Sequence, residues 1–164
     1  MTEPALGYIG LGGMGAPMAM RLLGWPGGLT VYDVRDEATA PFAEAGAAVA
    51  ADLAQVATAD LISVTVLDDA QVCEVVAELA RHASAGTVIA IHSTIGDATA
   101  VELADDLARS GIHVIDAPVS GGAAGAQKGE LATMIGASRP VYEQVKPVFK
   151  QWASLVIHAG GPGA

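Results

Sequence analysis

The sequence is poor in basic residues. Lysine and arginine together number 8 against 18 aspartates and glutamates, and the formal net charge is -10 at pH 7. Nucleic acids and anionic membranes are bound by clustered lysines and arginines, which displace counterions. The composition therefore argues against both as partners, and a phosphorylated ligand would have to be held by backbone amides.

Cysteine and long apolar runs are also scarce. Cys73, the single cysteine, excludes a disulfide framework and a cysteine-rich metal site, and its apolar neighbours predict a buried, unreactive thiol. Although 52% of the residues are hydrophobic, glycine, proline or charge interrupts every run well short of the roughly 18 residues that span a membrane. The start of the chain, residues 1–4, lacks the basic residues of a secretory signal. We therefore expect a cytoplasmic protein without membrane contacts.

What the sequence does contain is a regular alternation of short β-rich runs and helical patterns. This alternation is typical of the α/β class with a doubly wound, mainly parallel sheet and helices on both faces. A length of 164 residues suits one domain. The predicted strands are Ala5–Gly10, Leu29–Asp33, Ala48–Ala50, Leu61–Leu67, Thr87–His92 and Ile112–Ala117. The predicted helices are Met14–Leu23, Glu37–Ala45, Gln55–Ala57, Asp69–His82 and Ala98–Ser110.

Local signals mark where several helices begin and end. A helix start is predicted where an aspartate can cap the first amides and a glutamine follows three residues later, as in a capping box. The two such pairs are Asp52 with Gln55 and Asp68 with Gln71. Helix ends are predicted at glycines that can adopt a left-handed closing conformation. These glycines are Gly24, Gly46 and Gly111.

The pattern changes after Ala117. A glycine-rich stretch, PVSGGAAGAQKGELATMIGA, leads into an alternating run that predicts a strand over Leu131–Ile135. Arg139–Trp152 reads as a helix interrupted by Pro147, and Leu155–His158 as a last short strand. We expect these last elements to pair antiparallel at the sheet edge.

A glycine loop follows the first predicted strand, in the stretch GYIGLGGMGAPMAMRLL. Its glycines fit GxGxxG: the first allows a tight turn, the second lets backbone approach a pyrophosphate, and the third brings helix and strand together. The amides at the start of the helix can then hold an anion without lysine. The spacing predicts a Rossmann-type dinucleotide site. Its predicted loop residues are Gly10, Leu11, Gly12, Gly13, Met14 and Gly15.

An acidic residue closes the second predicted strand. Asp33 lies 18 residues after Gly15, where a carboxylate accepts hydrogen bonds from the adenosine ribose hydroxyls and repels a 2′-phosphate. The cofactor is therefore predicted to be NAD, with NADP less favoured. Arg35 could pair with a 2′-phosphate, although a solvated loop arginine is the more ordinary interpretation.

The glycine loop and a second block, DAPVSGG over residues 116–122 followed by Ala126 and Gly129, resemble two signatures of the β-hydroxyacid dehydrogenases. That family contains 3-hydroxyisobutyrate dehydrogenase, tartronate semialdehyde reductase and, more distantly, 6-phosphogluconate dehydrogenase. The similarity runs over essentially the whole chain. It implies hydride transfer between a nicotinamide cofactor and a small 3-hydroxy acid or the matching semialdehyde, in a homo-oligomer.

The resemblance also assigns residues. It implies that Leu67 and Thr94 border the nicotinamide and that Ser120, Gly121 and Gly122 bind substrate. The hydroxyl and unhindered amides of this second set can surround a carboxylate, which is a physical reason for the same assignment. A glycine-rich turn without a ligand is the alternative interpretation.

Some positions depart from the family pattern. An acidic residue often stands two before the Ser-Thr pair and a proline three after its threonine, where this chain has Ile91 and Asp97. Asp97 is expected to cap the following helix. His92, beside the pair, is predicted to be a hydrogen-bonded structural residue and not an acid or base.

A catalytic base is not evident. In the family a lysine takes the hydroxyl proton, on a helix after a glycine-rich hinge that resembles HAGGPGA here, and the matching position would lie beyond Ala164. Lys128, Lys146 and Lys150 are unconvincing substitutes. We therefore expect a cofactor domain, without its helical substrate and dimerisation domain and with little turnover alone.

Three alternatives stay open. A short protein could bind nucleotide as a sensor or scaffold without catalysis. An imine reductase shares the glycine signature, but Asp33 and DAPVSGG argue against it. 6-Phosphogluconate dehydrogenase would call for more basic residues near the pocket.

Overall fold

The computed structural model describes residues 3–164, so Met1 and Thr2 of the predicted signal-free start lie outside it. The strands are β1 (Leu6–Ile9), β2 (Leu29–Tyr32), β3 (Ala48–Val49), β4 (Leu61–Val64), β5 (Val88–Ile91), β6 (His113–Asp116), β7 (Val119–Ser120), β8 (Leu131–Gly136) and β9 (Ala153–Gly160). The helices are α1 (Gly15–Met20), α2 (Asp36–Glu44), α3 (Leu53–Val56), α4 (Asp69–Ala80), α5 (Asp97–Ala108), α6 (Gly122–Lys128) and α7 (Arg139–Phe149). No helix of the described residues is long and apolar enough to cross a membrane.

Six parallel strands form the main part of one sheet, in the order β3-β2-β1-β4-β5-β6. The chain moves outward from β1 to β3, returns to the other side of β1 with β4, and continues to β6. The carboxyl ends of β1 and β4 therefore flank the point at which the strand order reverses, which is where doubly wound sheets bind ligands. The predicted fold class is confirmed.

The sheet is buried on both faces. All four residues of β1, β4 and β5 are buried, as expected for parallel strands covered by helices on both sides. Alternate strand residues enter two separate apolar clusters: Tyr8 packs in the cluster that contains Met18 of α1, and Ile9 in the one that contains Leu79 of α4. Helices α1, α2, α6 and α7 supply the first cluster, and α3, α4 and α5 the second.

The last strands depart from the parallel arrangement. Strands β6 and β7 pair antiparallel with β8 in one continuous register, from Asp116 opposite Gly136 to Ser120 opposite Ala132. Strand β9 lies on the other side of β8 and runs parallel to it, after the crossover through α7. The expected antiparallel pairing is therefore right for β8 and wrong for β9. A helix between two strands allows both to run in the same direction.

The glycine-rich stretch after Ala117 contains regular structure that the sequence interpretation missed. It holds β7 and α6, and α6 ends at Gly129 in the left-handed conformation with φ of 71°. Three alanines favour this short helix. One of them, Ala126, is fully buried in the core.

Two predictions about helical residues are wrong. Helix α7 continues through Pro147 to Phe149, because its buried face outweighs one lost hydrogen bond near the helix end. Cys73 is exposed: it follows Val72, which is one of the three buried residues of α4. A helix of period 3.6 turns the next residue about 100° away.

The predicted capping boxes are confirmed. Asp52 accepts a hydrogen bond from the Gln55 amide at 3.0 Å, and Asp68 accepts one from the Gln71 amide at 2.9 Å. Each glutamine side chain also accepts a hydrogen bond from the amide of the residue before the cap. The Ala51 amide donates to Gln55 Oε1 at 2.7 Å, and the Leu67 amide donates to Gln71 Oε1 at 2.9 Å. The predicted closing glycines all have positive φ, at 84°, 95° and 73° for Gly24, Gly46 and Gly111.

The expected Asp97 cap is wrong. Gly96 is the N-cap of α5 and has no side chain to bond, so Asp97 is the first helical residue. Asp69 of α4 replaces the cap, since its Oδ2 accepts from the Gly96 amide at 3.1 Å and from Thr99 Oγ1 at 2.8 Å. The Thr99 bond, followed by the Gly96 bond, holds the pKa of Asp69 below its ordinary value.

Candidate dinucleotide-binding site

The loops after the parallel strands meet at one edge of the sheet, because parallel strands share the position of their carboxyl ends. Five loops contribute: residues 10–14 after β1, 33–35 after β2, 65–68 after β4, 92–96 after β5 and 117–118 after β6. Eight of the twelve predicted site residues lie in these loops. The exceptions are Gly15 at the start of α1 and the Ser120 group, which continues from β6.

The glycine loop has two positions that no other residue can occupy. Gly10 has φ of 94°, and a Cβ placed on it would overlap the Thr65 carbonyl oxygen of the neighbouring loop. A Cβ on Gly15 would overlap the Gly10 carbonyl oxygen. These glycines therefore make the tight turn and the close contact between helix and strand that the motif requires.

Gly12 and Gly13 differ from the other two because no atom lies within 4 Å of the position of a Cβ on either residue. No hydrogen bond within the described chain uses the amides of Gly12, Gly13 or Met14 as donors. The Leu11 amide, in contrast, is occupied by Asp33, and the Leu11 side chain is buried. An open backbone surface with free amides fits a pyrophosphate, and Leu11 contributes by linking the loop to β2.

Asp33 is held in place by the glycine loop and by Arg35 of its own loop. Its Oδ2 accepts from the Leu11 amide at 2.8 Å, and its Oδ1 accepts from the Arg35 amide at 2.9 Å and from Arg35 Nε at 3.1 Å. Partial burial alone would raise the pKa of this carboxyl, but hydrogen bonds from Arg35 and Leu11 outweigh burial and lower it. Asp33 is therefore an ionised acceptor beside the glycine loop.

Two loops that carry predicted nicotinamide contacts are fixed to each other. Ser93 Oγ donates to the Val66 carbonyl at 2.7 Å and lies 2.8 Å from the Val66 amide, from which it accepts. Next to this link, Thr94 is exposed and the Leu67 side chain is 88% exposed. The linking role of Ser93 was not predicted, although polar residues after two adjacent parallel strands could have suggested it. An apolar side chain so exposed at the edge suits an aromatic ring as a partner.

The Ser120 group lies where β7 passes into α6. Ser120 is exposed, and Gly121 and Gly122 have φ of 132° and 68°. Two consecutive residues with positive φ require glycine for the turn itself. Helix α6 packs against α1, and a Cβ on Gly129 after α6 would meet the Arg21 guanidinium after α1. The end of α6 therefore lies within reach of the Arg21 side chain.

His92 is a hydrogen-bonded structural residue, as predicted, and it lies in the core. It is 3% exposed, its Nδ1 lies 2.9 Å from the Ala117 carbonyl, and its Nε2 lies 3.0 Å from Ser63 Oγ. In the neutral ring Nδ1–H donates to the carbonyl and Nε2 accepts from the serine hydroxyl. Burial lowers the pKa of His92 to about 4. The ring packs edge to face with Trp152 and Phe149, with ring centres 5.2 Å apart. The bond to Ala117 connects the loops that follow β5 and β6.

The lysines lie outside the group of loops. Lys128 is in the last turn of α6, at the opposite end of that helix from Gly122. Lys146 lies over the Tyr142 ring within α7, with Nζ 5.6 Å from the ring centre, and Lys150 caps the end of the same helix. Residues 3–164 also contain no cluster of three or more potential metal ligands.

Asp116 ties the last residues to this edge. Its Oδ1 accepts from the Gly163 amide at 2.8 Å, and Gly136 beside it has no room for a side chain. Burial raises the pKa of Asp116 above its usual value. The carboxylate of the DAPVSGG block therefore anchors the turn at Gly160–Gly163.

These features define the class of the protein. A parallel sheet, a glycine loop at its switch point and an ionised carboxylate after the second strand make a Rossmann-type dinucleotide-binding domain. A family model described as the NAD binding domain of 6-phosphogluconate dehydrogenase matches residues 5–160. The chain belongs to this family, the NAD-binding domains of the β-hydroxyacid dehydrogenases, and the resemblance seen in the sequence is confirmed.

Relatives support the same assignment. An oxidoreductase of Mycobacterium tuberculosis described as uncharacterized is 63% identical, over 98% of this chain and 56% of that protein. The crystal structure of an oxidoreductase from Mycobacterium avium 104 is 69% identical, with a TM-score of 0.96 over 98% of this chain and 58% of that one. The structure of Mycobacterium tuberculosis 3-hydroxyisobutyrate dehydrogenase with L-serine is 30% identical, with a TM-score of 0.93 over 99% of this chain and 56% of that one. The chain thus spans little more than half the length of these proteins.

Proposed function

We propose that this domain binds NAD in preference to NADP and serves an oxidoreductase that acts on a small 3-hydroxy acid or the corresponding semialdehyde. The observation that carries the proposal is the open glycine loop beside an ionised Asp33. The free amides of Gly12, Gly13 and Met14 would hold the pyrophosphate. Asp33 would accept hydrogen bonds from the adenosine ribose and disfavour a 2′-phosphate.

The other predicted residues complete the site. Leu67 and Thr94, on the loops that Ser93 joins, would border the nicotinamide, which supplies the hydride-accepting carbon when bound. Ser120 and the backbone of Gly121 and Gly122 would bind the substrate carboxylate. The 30% identical dehydrogenase that was solved with L-serine supports a small, hydroxyl-bearing acid as the substrate class.

The proton acceptor for a hydroxyl is proposed to come from outside these 164 residues. His92 is buried and makes two hydrogen bonds within the core, so it cannot reach a substrate. No lysine lies in the loops of the candidate site. We also propose that the complete oxidoreductase is a homo-oligomer, as the family resemblance implies.

The direct test is calorimetric titration of this chain with NADH and NADPH. We expect NADH to bind more tightly, and Asp33→Ala to weaken NADH binding about tenfold or more, because each hydrogen bond to a charged group contributes about 1.5–3 kcal/mol. Gly12→Ala should also weaken binding while leaving thermal unfolding nearly unchanged, since its Cβ would enter open space. If the chain bound neither NADH nor NADPH, the proposal would be overturned.

Turnover provides a separate test. This chain, incubated with NAD and 3-hydroxyisobutyrate, is expected to bind cofactor but to produce no NADH above background. Appreciable turnover would show that a base is present within residues 1–164 and would contradict the assignment of the proton acceptor.

A further inference from the structure

Arg35 lies beside the ribose-binding carboxylate and has no other ionic partner. Its Nε is 3.1 Å from Asp33 Oδ1, and its Nη2 is 3.5 Å from Asp33 Oδ2. Within residues 3–164 the guanidinium makes no other hydrogen bond or ion pair. Its side chain is 52% exposed, whereas that of Asp33 is 8% exposed. The cation is thus on the solvent side of the pair.

The acceptor sites of Asp33 are unequally used. Oδ1 receives two hydrogen bonds, from the Arg35 amide and from Nε. Oδ2 receives one short bond from the Leu11 amide and only the long approach of Nη2. A carboxylate oxygen accepts about two hydrogen bonds. Oδ2 therefore keeps room for a ribose hydroxyl without displacement of Nε.

We propose that Arg35 is a specificity-determining residue, and that a phosphate on the ribose 2′-oxygen must compete with Asp33 for its guanidinium. In the native protein the positive charge of Arg35 is already paired with Asp33. A 2′-phosphate would therefore be repelled by the carboxylate and gain little attraction from the arginine. Arg35 nevertheless offsets part of the repulsion between that phosphate and Asp33. Removal of Asp33 alone frees the planar donor set of the arginine for the phosphate.

The inference rests on the proposed function, since the edge must bind a nicotinamide dinucleotide. It differs from that function in attributing the strength of NADP exclusion to the Asp33–Arg35 pair and not to Asp33 alone. It also differs from a purely structural role for Arg35, in which the arginine only orients Asp33. A structural role would change NADH affinity and leave the coupling between the two residues in NADPH binding at zero.

The experiment is a double-mutant cycle read by NADH and NADPH titration. Its members are the native chain, Asp33→Asn, Arg35→Ala and the double variant, which has the native net charge. Asp33→Asn keeps an oxygen for the Leu11 amide, and Asp33→Ser serves as a second variant if the first unfolds. Arg81→Ala is the matched control, since it removes one exposed arginine paired with Glu78 at the far end of α4.

We expect Asp33→Asn to tighten NADPH binding about tenfold or more, and the double variant to lose most of that gain, as for a charge-assisted pair with phosphate. Arg35→Ala alone should weaken NADPH more than NADH, and Arg81→Ala should change neither. Equal NADPH gains in Asp33→Asn and in the double variant would overturn the inference while leaving NADH binding, and the proposed function, intact. Absence of NADH binding by the native chain would overturn both.

Discussion

At the residue scale, the buried imidazole of His92 makes stability depend on pH. Its pKa is about 4 in the folded protein against an ordinary 6.5, because burial disfavours the charged ring. Between these values the unfolded chain binds more protons than the folded one, so the free energy of unfolding falls as the pH is lowered. The loss should amount to about 3 kcal/mol and stop growing below about pH 4.

The pH dependence of the free energy of unfolding is measured by urea unfolding at pH 7.5, 6, 5 and 4. His92→Gln should be less stable at neutral pH but show a flatter decline over that range. His113→Gln, on the exposed side of β6, should keep the native slope. Equal slopes for the native chain and His92→Gln would mean that His92 is not the group responsible.

Single residues were predicted well where one physical constraint acts. The positive φ of Gly24 and the hydrogen-bonded structural role of His92 follow from local chemistry that the sequence displays. The burial of Cys73 was predicted wrongly. In a helix that mixes apolar and small residues, the sequence pattern alone does not identify which of two adjacent residues faces the core. The pairing of Arg35 with Asp33 depends on side-chain conformation, which spacing does not determine.

At the element scale, the capping box of α4 offers a local test of helix stability. Asp68→Ala removes the 2.9 Å bond to the Gln71 amide and should lower the free energy of unfolding by about 1 kcal/mol. Asp105→Ala, at an exposed position inside α5, loses no hydrogen bond recorded for the described chain and should be neutral or slightly stabilising. Urea unfolding of both variants measures the difference, and equal effects would contradict a capping contribution from Asp68.

Elements with strong signals were predicted to within a few residues, whereas those that depend on long-range packing were not. Strand β7 and helix α6 were missed because two residues and a glycine-rich turn carry little periodicity, and their structure comes from pairing with β8 and packing on α1. Helix α7 passes through Pro147 because Val145, Val148 and Phe149 are buried around it. Local propensity could not weigh that burial.

At the scale of the whole molecule, the net charge of -10 predicts an unusual response to salt. A pyrophosphate held by backbone amides releases few counterions, and the acidic surface repels an anionic cofactor. Affinity for NADH should therefore stay constant or rise as sodium chloride increases from about 50 to about 500 mM, because salt screens the repulsion. Titrations over this range check it. A tenfold loss of affinity would point to a lysine or arginine contact instead.

The buried indole of Trp152 gives the molecule a natural optical probe. Trp152 is fully buried and its Nε1 has no hydrogen-bond partner among residues 3–164, whereas Trp25 is half-buried and donates to the Pro4 carbonyl at 2.9 Å. An indole in so apolar a setting emits at shorter wavelength than one in contact with water. With only two tryptophans in the chain, a Trp25→Phe variant isolates this emission, which overlaps the absorption of reduced nicotinamide. Loss of tryptophan emission by energy transfer would then report cofactor binding, and a red shift would report loss of the core around β5 and α7.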